Sequence, residues 1–494
     1  MQRKLNVRHA SLLVCLAIVQ NCVLPALLSA DDFVDIAHNS SVFGEERNYR
    51  VILPASYNAN EATSYPVVYY LHGWSERYNV PTHGELPLES MEQIVAEKDS
   101  FILVIPDGSM NPNDERPNVR PYNIGENHTG DRGTPFDVHF SDYFLELVGH
   151  VDQNFRTISN REGRALFGYS MGGFMSFDLA GNYPHMISAV VDHLGSPEFY
   201  IGDTQRRVLN KKRDLTSNLH GVRYRLQAGT RDFLRFLGDE VNQTFQRDPT
   251  LSYEFELNES NHALAARDSK IENFAEGINF LVDVFQNPLP RPTRWHHTDM
   301  DAEFDKWGYQ VTSNLLEPGF ISLRGVTHGG FEVSTKKWTA EGPYVPGVEI
   351  NIQTDSLYQP NTDYQLLSYN LARDSASTST VTSDAQGRIT VSANHEDNQF
   401  GIYNQGDPAE LVTVGHLVDG SRQFLSQGQT GDLRLRFLNR GGSATSGMTA
   451  TISTLEPNVT IENPTVVLDD IDLGATVWSP AIKINAAKPA PDNR

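Results

Sequence analysis

Between residues 31 and 288, short apolar runs alternate with amphipathic stretches. The runs at 50–53, 67–71, 101–105, 165–167, 187–191, 224–228 and 253–257 are rich in Val, Ile and Tyr and predict buried strands. Phe144, Leu147, Val148, Val151 and Phe155 recur at the helical period, and so do Ile271, Phe274, Ile278, Leu281 and Phe285. Each stripe predicts one buried helix face. Strands that alternate with helices imply an α/β fold with a mostly parallel sheet covered on both faces.

Pro288, Pro290 and Pro292, with Arg291 and Arg294 between and after them, break the pattern and mark a linker. Beyond it the period changes. Strand-like runs at 319–324, 331–334, 347–353, 364–369, 388–392 and 399–403 are separated by turn residues such as Asp384-Ala385-Gln386-Gly387. They predict an all-β sandwich over 289–404. A second β-rich unit is expected over 405–494, with strands around Leu433, Leu435 and Phe437 and at 448–453, 465–468 and 481–484. The small, polar tail after Ala486 is expected to be disordered.

The first thirty residues read differently. Arg3, Lys4 and Arg8 form a basic start, apolar stretches follow at 11–19 and 23–28, and Leu28-Ser29-Ala30 offers a cleavage point before Asp31. This is the pattern of a signal peptide, and it predicts a secreted or periplasmic bacterial protein. No later segment is long and apolar enough to span a membrane as a helix.

Composition narrows the function. The chain of 494 residues carries 62 acidic and 40 basic side chains, a net charge of −22. Removing residues 1–30 takes three positive charges and no negative ones, which leaves −25. Such a surface repels nucleic acid and anionic membranes. Both cysteines, Cys15 and Cys22, lie in the expected signal peptide. A disulfide scaffold or a cysteine-ligated metal is therefore excluded.

The chemistry-bearing motif is Gly168-Tyr169-Ser170-Met171-Gly172-Gly173, between the strand at 165–167 and a helix starting near Phe174. This is the strand–turn–helix setting of a G-x-S-x-G nucleophile elbow, where Gly168 and Gly172 leave room for a tight turn. An ordinary strand–helix turn with a capping serine is the plainer reading. Serine needs a base, and the expected chain order is Ser, acid, His. Asp232 follows the strand at 224–228, and His262 follows the strand at 253–257, so both lie at the sheet edge that carries the elbow. Asp232 would orient the imidazole, and His262 would take and return the serine proton. Asp232 also suits a helix cap, and His262 a loop histidine. Asp239 is the rival acid, and His193 and His220 are the rival bases. The backbone N–H groups of Met171 and of Trp74, in His72-Gly73-Trp74 after the strand at 67–71, suit an oxyanion hole.

The series Tyr49-Arg50-Val51-Ile52-Leu53-Pro54, Tyr65-Pro66-Val67-Val68-Tyr69-Tyr70-Leu71-His72-Gly73, Ile105-Pro106-Asp107-Gly108, Phe155-Arg156-Thr157, Arg161-Glu162-Gly163-Arg164-Ala165 and the elbow itself resembles the esterase D branch of the α/β-hydrolase superfamily. That branch includes the feruloyl and acetylxylan esterases and the mycolyl transferases. The resemblance covers 45–286. It implies a three-layer α/β-hydrolase sandwich, followed here by one or two β-sandwich domains. It also implies a Ser170–His262–Asp232 triad, Trp74 and Met171 at the oxyanion hole, and no cofactor. The chain departs from the family at Ala263-Leu264-Ala265, where members often carry an aromatic residue. It departs again at Leu194-Gly195-Ser196, where many have a Ser-Gly pair.

Other clusters are weaker. His296, His297, Asp299, Asp301, Glu303 and Asp305 invite a metal, but Phe304 and Gln310 break a calcium loop, so a solvated linker face and no metal site are expected. Trp295, Trp307 and Tyr309 are expected to seal the hydrolase against the sandwich. Arg206, Arg207, Lys211, Lys212 and Arg213 read as a solvated helix face. The expectation is a secreted serine esterase. By resemblance, its substrate is a small-molecule or carbohydrate ester, such as an acyl or feruloyl group on a polysaccharide. A hydrolase fold that binds without turnover, or an acyltransferase between sugars, are the alternatives.

Overall fold

The computed structural model describes residues 33–488, apart from 75, 80–85, 110–121, 123–139, 196–197, 202–207, 263–266, 318 and 338–341. The expected signal peptide, Arg206-Arg207, Ala263-Leu264-Ala265, Ser196 and the last six residues of the tail lie outside the described residues.

The chain opens with β1 (Phe33–Ser40), β2 (Glu45–Ile52), β3 (Val67–Leu71), α1 (Leu88–Lys98), β4 (Ile102–Pro106) and α2 (Phe140–Asn154). It continues with β5 (Arg164–Tyr169), α3 (Met171–Asn182), β6 (Ala189–His193), and β7 (Glu198–Ile201) with β8 (Val208–Lys211) as a separate hairpin. Then come β9 (Arg223–Gly229), α4 (Arg235–Gln246), β10 (Ser252–Asn258) and α5 (Arg267–Gln286). Eight of these strands form one sheet in the order β1-β2-β4-β3-β5-β6-β9-β10. The strands from β4 to β10 in that order run parallel, whereas β1 and β2 pair antiparallel at one edge.

Alternation along each strand divides the core into two layers. Val67, Tyr69, Leu71, Leu166 and Val190 face α2, α3 and α4, which bury Phe144, Leu147, Phe177, Leu179 and Phe245 against them. Val68, Tyr70, Ala165, Phe167 and Val191 face α1 and α5, which supply Met91, Val95, Phe274, Ile278 and Leu281. Each large apolar side chain taken out of water contributes about 1.5–3 kcal/mol. The two predicted helical stripes are therefore the inner faces of α2 and α5. The parallel register brings strand ends level: Leu71 sits opposite Gly168, Tyr169 opposite His193, and Gly229 opposite Asn258.

The remainder is antiparallel β. It begins with β11 (Trp295–Asp299), β12 (Glu303–Lys306), β13 (Tyr309–Ser313), β14 (Phe320–Thr327) and β15 (Gly330–Lys336). There follow β16 (Glu349–Gln353), β17 (Asp363–Asn370), β18 (Ser375–Thr382), β19 (Thr390–Asn394) and β20 (Asn398–Tyr403). They form a six-stranded sheet, β11-β14-β15-β20-β17-β18, and a four-stranded sheet, β12-β13-β16-β19. Both line one core that includes Trp295, Tyr309, Ile321, Phe331, Ile350 and Phe400. Residues 411–486 build a further five-stranded sheet. Arg440 is fully buried and holds that last unit to the sandwich, donating to Glu410 at 2.7 Å, the Gly325 carbonyl at 2.9 Å and Gln399 at 3.1 Å.

Two sequence expectations about the junction need correction. The segment from His296 to Asp305 is not a solvated linker face. His297 and Asp299 are buried and bonded to each other at 3.0 Å, and the Lys306 ammonium stands 3.4 Å from Asp299. The alternating charges look solvent-facing in sequence, but the inward half is neutralised by Lys306. Of the three aromatics expected at the seam, Trp295 and Tyr309 pack edge to face at 5.3 Å inside the sandwich core. Only Trp307 turns towards the hydrolase, 5.5 Å from the Arg161 guanidinium and 6.3 Å from the His185 ring. The seam is completed by Asn218. Its side chain accepts from the Thr298 N–H at 2.8 Å and donates to the Thr298 carbonyl at 2.9 Å, as a strand neighbour would.

Candidate active site

β5 delivers Ser170 into the turn before α3. Ser170 has φ 53° and ψ −113°, a conformation that costs a non-glycine residue about 1–3 kcal/mol and marks a function that needs it. The turn closes because Gly172 lies against the end of β3; a Cβ there would collide with the Leu71 carbonyl. The Ser170 carbonyl accepts from Phe174 N–H at 3.1 Å and starts the helix. Met171 is the first helical residue, so its N–H has no intrahelical acceptor and sits at the positive end of the helix dipole.

Ser170 Oγ lies 2.8 Å from His262 Nε2, and His262 Nδ1 lies 3.0 and 3.1 Å from the two Asp232 carboxylate oxygens. Ser170 and Asp232 are buried, while the His262 side chain is 22% exposed. An Asp232 that accepts at Nδ1 fixes the tautomer with its lone pair at Nε2, facing the serine hydroxyl. Asp232 Oδ1 also accepts from Leu234 N–H at 2.8 Å. Asp232 does not cap α4, whose N-cap is Leu234; its carboxylate shapes the turn before the helix and also faces His262. Tyr169, beside the nucleophile, donates its hydroxyl to the His262 carbonyl.

The rivals are occupied elsewhere. Asp239 stands 3.4 Å from Arg235. His220 bonds Asp248 at 3.0 Å and Thr250 at 2.6 Å. His193 is buried, which pushes its imidazole down to about 3, and it meets the serine only through its carbonyl, which accepts from Ser170 N–H at 2.9 Å.

The loop after β3 is clamped on several sides. His72 Nε2 accepts from Gly108 N–H at 2.8 Å, so the ring proton is on Nδ1, which donates to the Gly73 carbonyl at 3.0 Å. Burial holds this imidazole neutral, down at about 4. Tyr122 donates to the His72 carbonyl at 3.1 Å, and Arg77 grips Asp107 at 2.6 and 2.9 Å. The buried Glu76 carboxylate accepts the Gly73 N–H. Gly73 packs on the Tyr169 ring, so Trp74, the next residue, enters beside the elbow with its side chain 38% exposed. No catalytic pattern in the sequence points to Glu76, Tyr122, Asp107 or Arg77. The only signal for them was the position of Asp107-Gly108 at a strand end.

Residues 40–265 match the model of a family described as putative esterase. The segment has the sheet order of an α/β hydrolase and is similar to esterases. Esterase MT1326 and Esterase Rv1288, from two strains of Mycobacterium tuberculosis, are each 28% identical to this chain over 162 residues. Those matches cover 32% of this chain and 30% of each relative, so the chain spans less than a third of the curated proteins it matches. Among solved structures, a ferulic acid esterase aligns at 22% identity with a TM-score of 0.42, over 51% of this chain and 98% of that one. The S-formylglutathione hydrolase FrmB of Staphylococcus aureus aligns at 17% identity with a TM-score of 0.37, over 51% and 98%.

Proposed function

We propose that the protein is an exported serine esterase that cleaves a carboxylic ester through an acyl-enzyme, and that the ester is an acyl or feruloyl group on a polysaccharide. The observation that carries the catalytic part is the unbroken hydrogen-bond chain Ser170–His262–Asp232 at 2.8 and 3.0 Å. It also favours turnover over a binding protein on the same fold. Ser170 Oγ attacks the carbonyl carbon while its proton passes to His262 Nε2. The tetrahedral oxyanion is met by the N–H groups of Met171 and Trp74. Imidazolium returns the proton to the alcohol oxygen as the C–O bond breaks, and Asp232 stabilises the imidazolium in the interval. Water then attacks the acyl-serine by the same route, giving the acid and free Ser170. The polysaccharide and export parts rest on the family resemblance and on the N-terminal pattern of basic, apolar and small residues.

The test is Ser170→Ala, assayed on a chromogenic acyl ester, together with mass mapping after treatment with a fluorophosphonate. The expected results are loss of turnover and a single adduct on Ser170 in the wild type. Full activity in the alanine variant would sink the assignment.

A further inference from the structure

Phe233 and Tyr169 both border the His262 ring. Phe233, 4.5 Å away between centroids, is 69% exposed and carries no hydrogen-bonding group. Tyr169, 6.0 Å away and inclined at 27°, is buried, and its hydroxyl donates to the His262 carbonyl. The Tyr169 ring is fixed from several elements. A Cβ on Gly73, in the loop after β3, would stand 3.2 Å from it. The His193 ring at the end of β6 meets it edge-on at 5.6 Å, and buried Leu194 packs beside it. The Lys270 ammonium, from α5, stands 4.6 Å from its centroid. In a close-packed interior this ring cannot shift without displacing the loop after β3, the end of β6 and the first turn of α5.

Ser170 and His262 arrive on strands that are not neighbours. β6 and β9 lie between β5 and β10, so the two strand ends stand three spacings apart, about 14 Å. Two contacts steady His262 from the end of β9. Asp232 holds the imidazole at Nδ1, and the Ser260 carbonyl accepts from Arg231 N–H at 2.9 Å. Neither contact reaches β5. The residues that follow His262 in the chain, Ala263, Leu264 and Ala265, bring no side-chain donor or acceptor. The Tyr169 hydroxyl does reach across, from the end of β5 to the main chain that carries the imidazole. Asp232 fixes the rotation of the ring, and Tyr169 fixes the backbone from which the ring hangs.

We propose that Tyr169 is a positioning residue for the base: its hydroxyl holds the His262 backbone where Nε2 stays in reach of Ser170 Oγ while the proton moves. Because the same ring packs on Gly73, one side chain sets the base and the loop of Trp74 against the nucleophile. Tyr169 acts through His262 and takes no proton itself. A base held out of line loses rate rather than substrate affinity, since its work is done in the transition state. This inference rests on the esterase reading, and its test separates the two.

Tyr169→Phe removes the hydroxyl and keeps the ring. On a chromogenic acyl ester its kcat should fall about tenfold with KM unchanged. The rate of fluorophosphonate labelling at Ser170, which needs the same base, should fall by the same factor. Placing 4-aminophenylalanine at position 169 keeps a donor at the end of the ring and should restore most of both rates. A Phe variant with the wild-type kcat and labelling rate overturns the positioning role, and so does a loss that the amino variant fails to recover. A Phe variant that does not fold by circular dichroism makes the hydroxyl a structural group and overturns the role as well. In each of these cases the wild type still labels at Ser170. A wild type that neither labels nor turns over the ester overturns the esterase reading itself.

Discussion

Asp232 serves two donors at once, a backbone N–H that shapes the turn and the imidazole proposed as the base. Replacing it by Asn keeps an acceptor for the turn but presents an amide to His262, which favours the wrong tautomer. Asp232→Asn should fold normally by circular dichroism and lose about 10³–10⁴ in kcat, as in the serine protease precedent. A loss under tenfold would identify another acid. Glu76 offers a second residue-scale prediction. Its carboxylate is the acceptor for the Gly73 N–H, one residue before the proposed oxyanion donor. Glu76→Leu leaves that N–H unpaired and frees the loop, so kcat should fall about 10²-fold with little change in KM. Glu76→Gln, which can still accept, should recover most of the rate. Equal losses in KM and kcat for both variants would contradict a positioning role.

At the scale of elements, glycines show how much depends on what lies opposite. Gly172 in α3 faces the Leu71 carbonyl, whereas a Cβ on Gly149 in α2 would meet nothing within 4 Å. Gly172→Ala should therefore cost more than about 3 kcal/mol or abolish folding, because β3 and α3 cannot both stay in place. Gly149→Ala should stabilise by about 0.5–1 kcal/mol, since it only removes backbone freedom from a helix interior. Urea midpoints on the two variants decide this, and equal shifts would refute it. Strands were legible where burial was two-sided. Val67–Leu71 is fully buried and reads as an unbroken apolar run. β18, Ser375–Thr382, is exposed along almost its whole length and pairs with β17 over eight residues, so no apolar pattern announces it. β1 leaves no apolar pattern for a related reason: it is an edge strand with mixed polarity.

At the scale of the molecule, buried imidazoles set the response to acid. Burial pushes His72 and His296 down to about 4, and His185 and His193 down to about 3. An unfolded chain binds protons on these groups from about pH 6.5 downwards, and the folded chain does not until much lower. Stability should therefore be level near neutrality and fall as pH drops from about 6.5 towards 4. Asp192 acts in the opposite sense. Burial raises its carboxyl to about 6, so between about pH 6 and 4 the folded state holds a proton that the unfolded state releases. Burial also lowers His38, His150 and His297 and raises Glu332, so seven histidines against two carboxyls predict a net decline, read as a falling melting temperature between pH 7 and 4.5. A flat or rising profile would overturn the assignment of these groups. The seam gives another whole-molecule test. Asn218→Leu strands both polar groups of Thr298 at a buried position and should destabilise by about 2–6 kcal/mol, visible by calorimetry.

The sequence by itself determined the alternation of strands and helices, the change to all-β beyond the prolines, and the residues Ser170, Asp232 and His262 at three strand ends. It could do so because burial writes a period into the chain and a tight turn demands glycine. Tertiary structure alone decided that Ser170, His262 and Asp232 meet within 3.1 Å. It also decided that Glu76 and Arg77 clamp the neighbouring loop, that Lys306 neutralises a buried Asp299, and that Phe233 stands in water beside the imidazole. These contacts join residues far apart in the chain through the register of parallel strands. That register follows from the packing of two helical layers on one sheet, and no local run of residues records it.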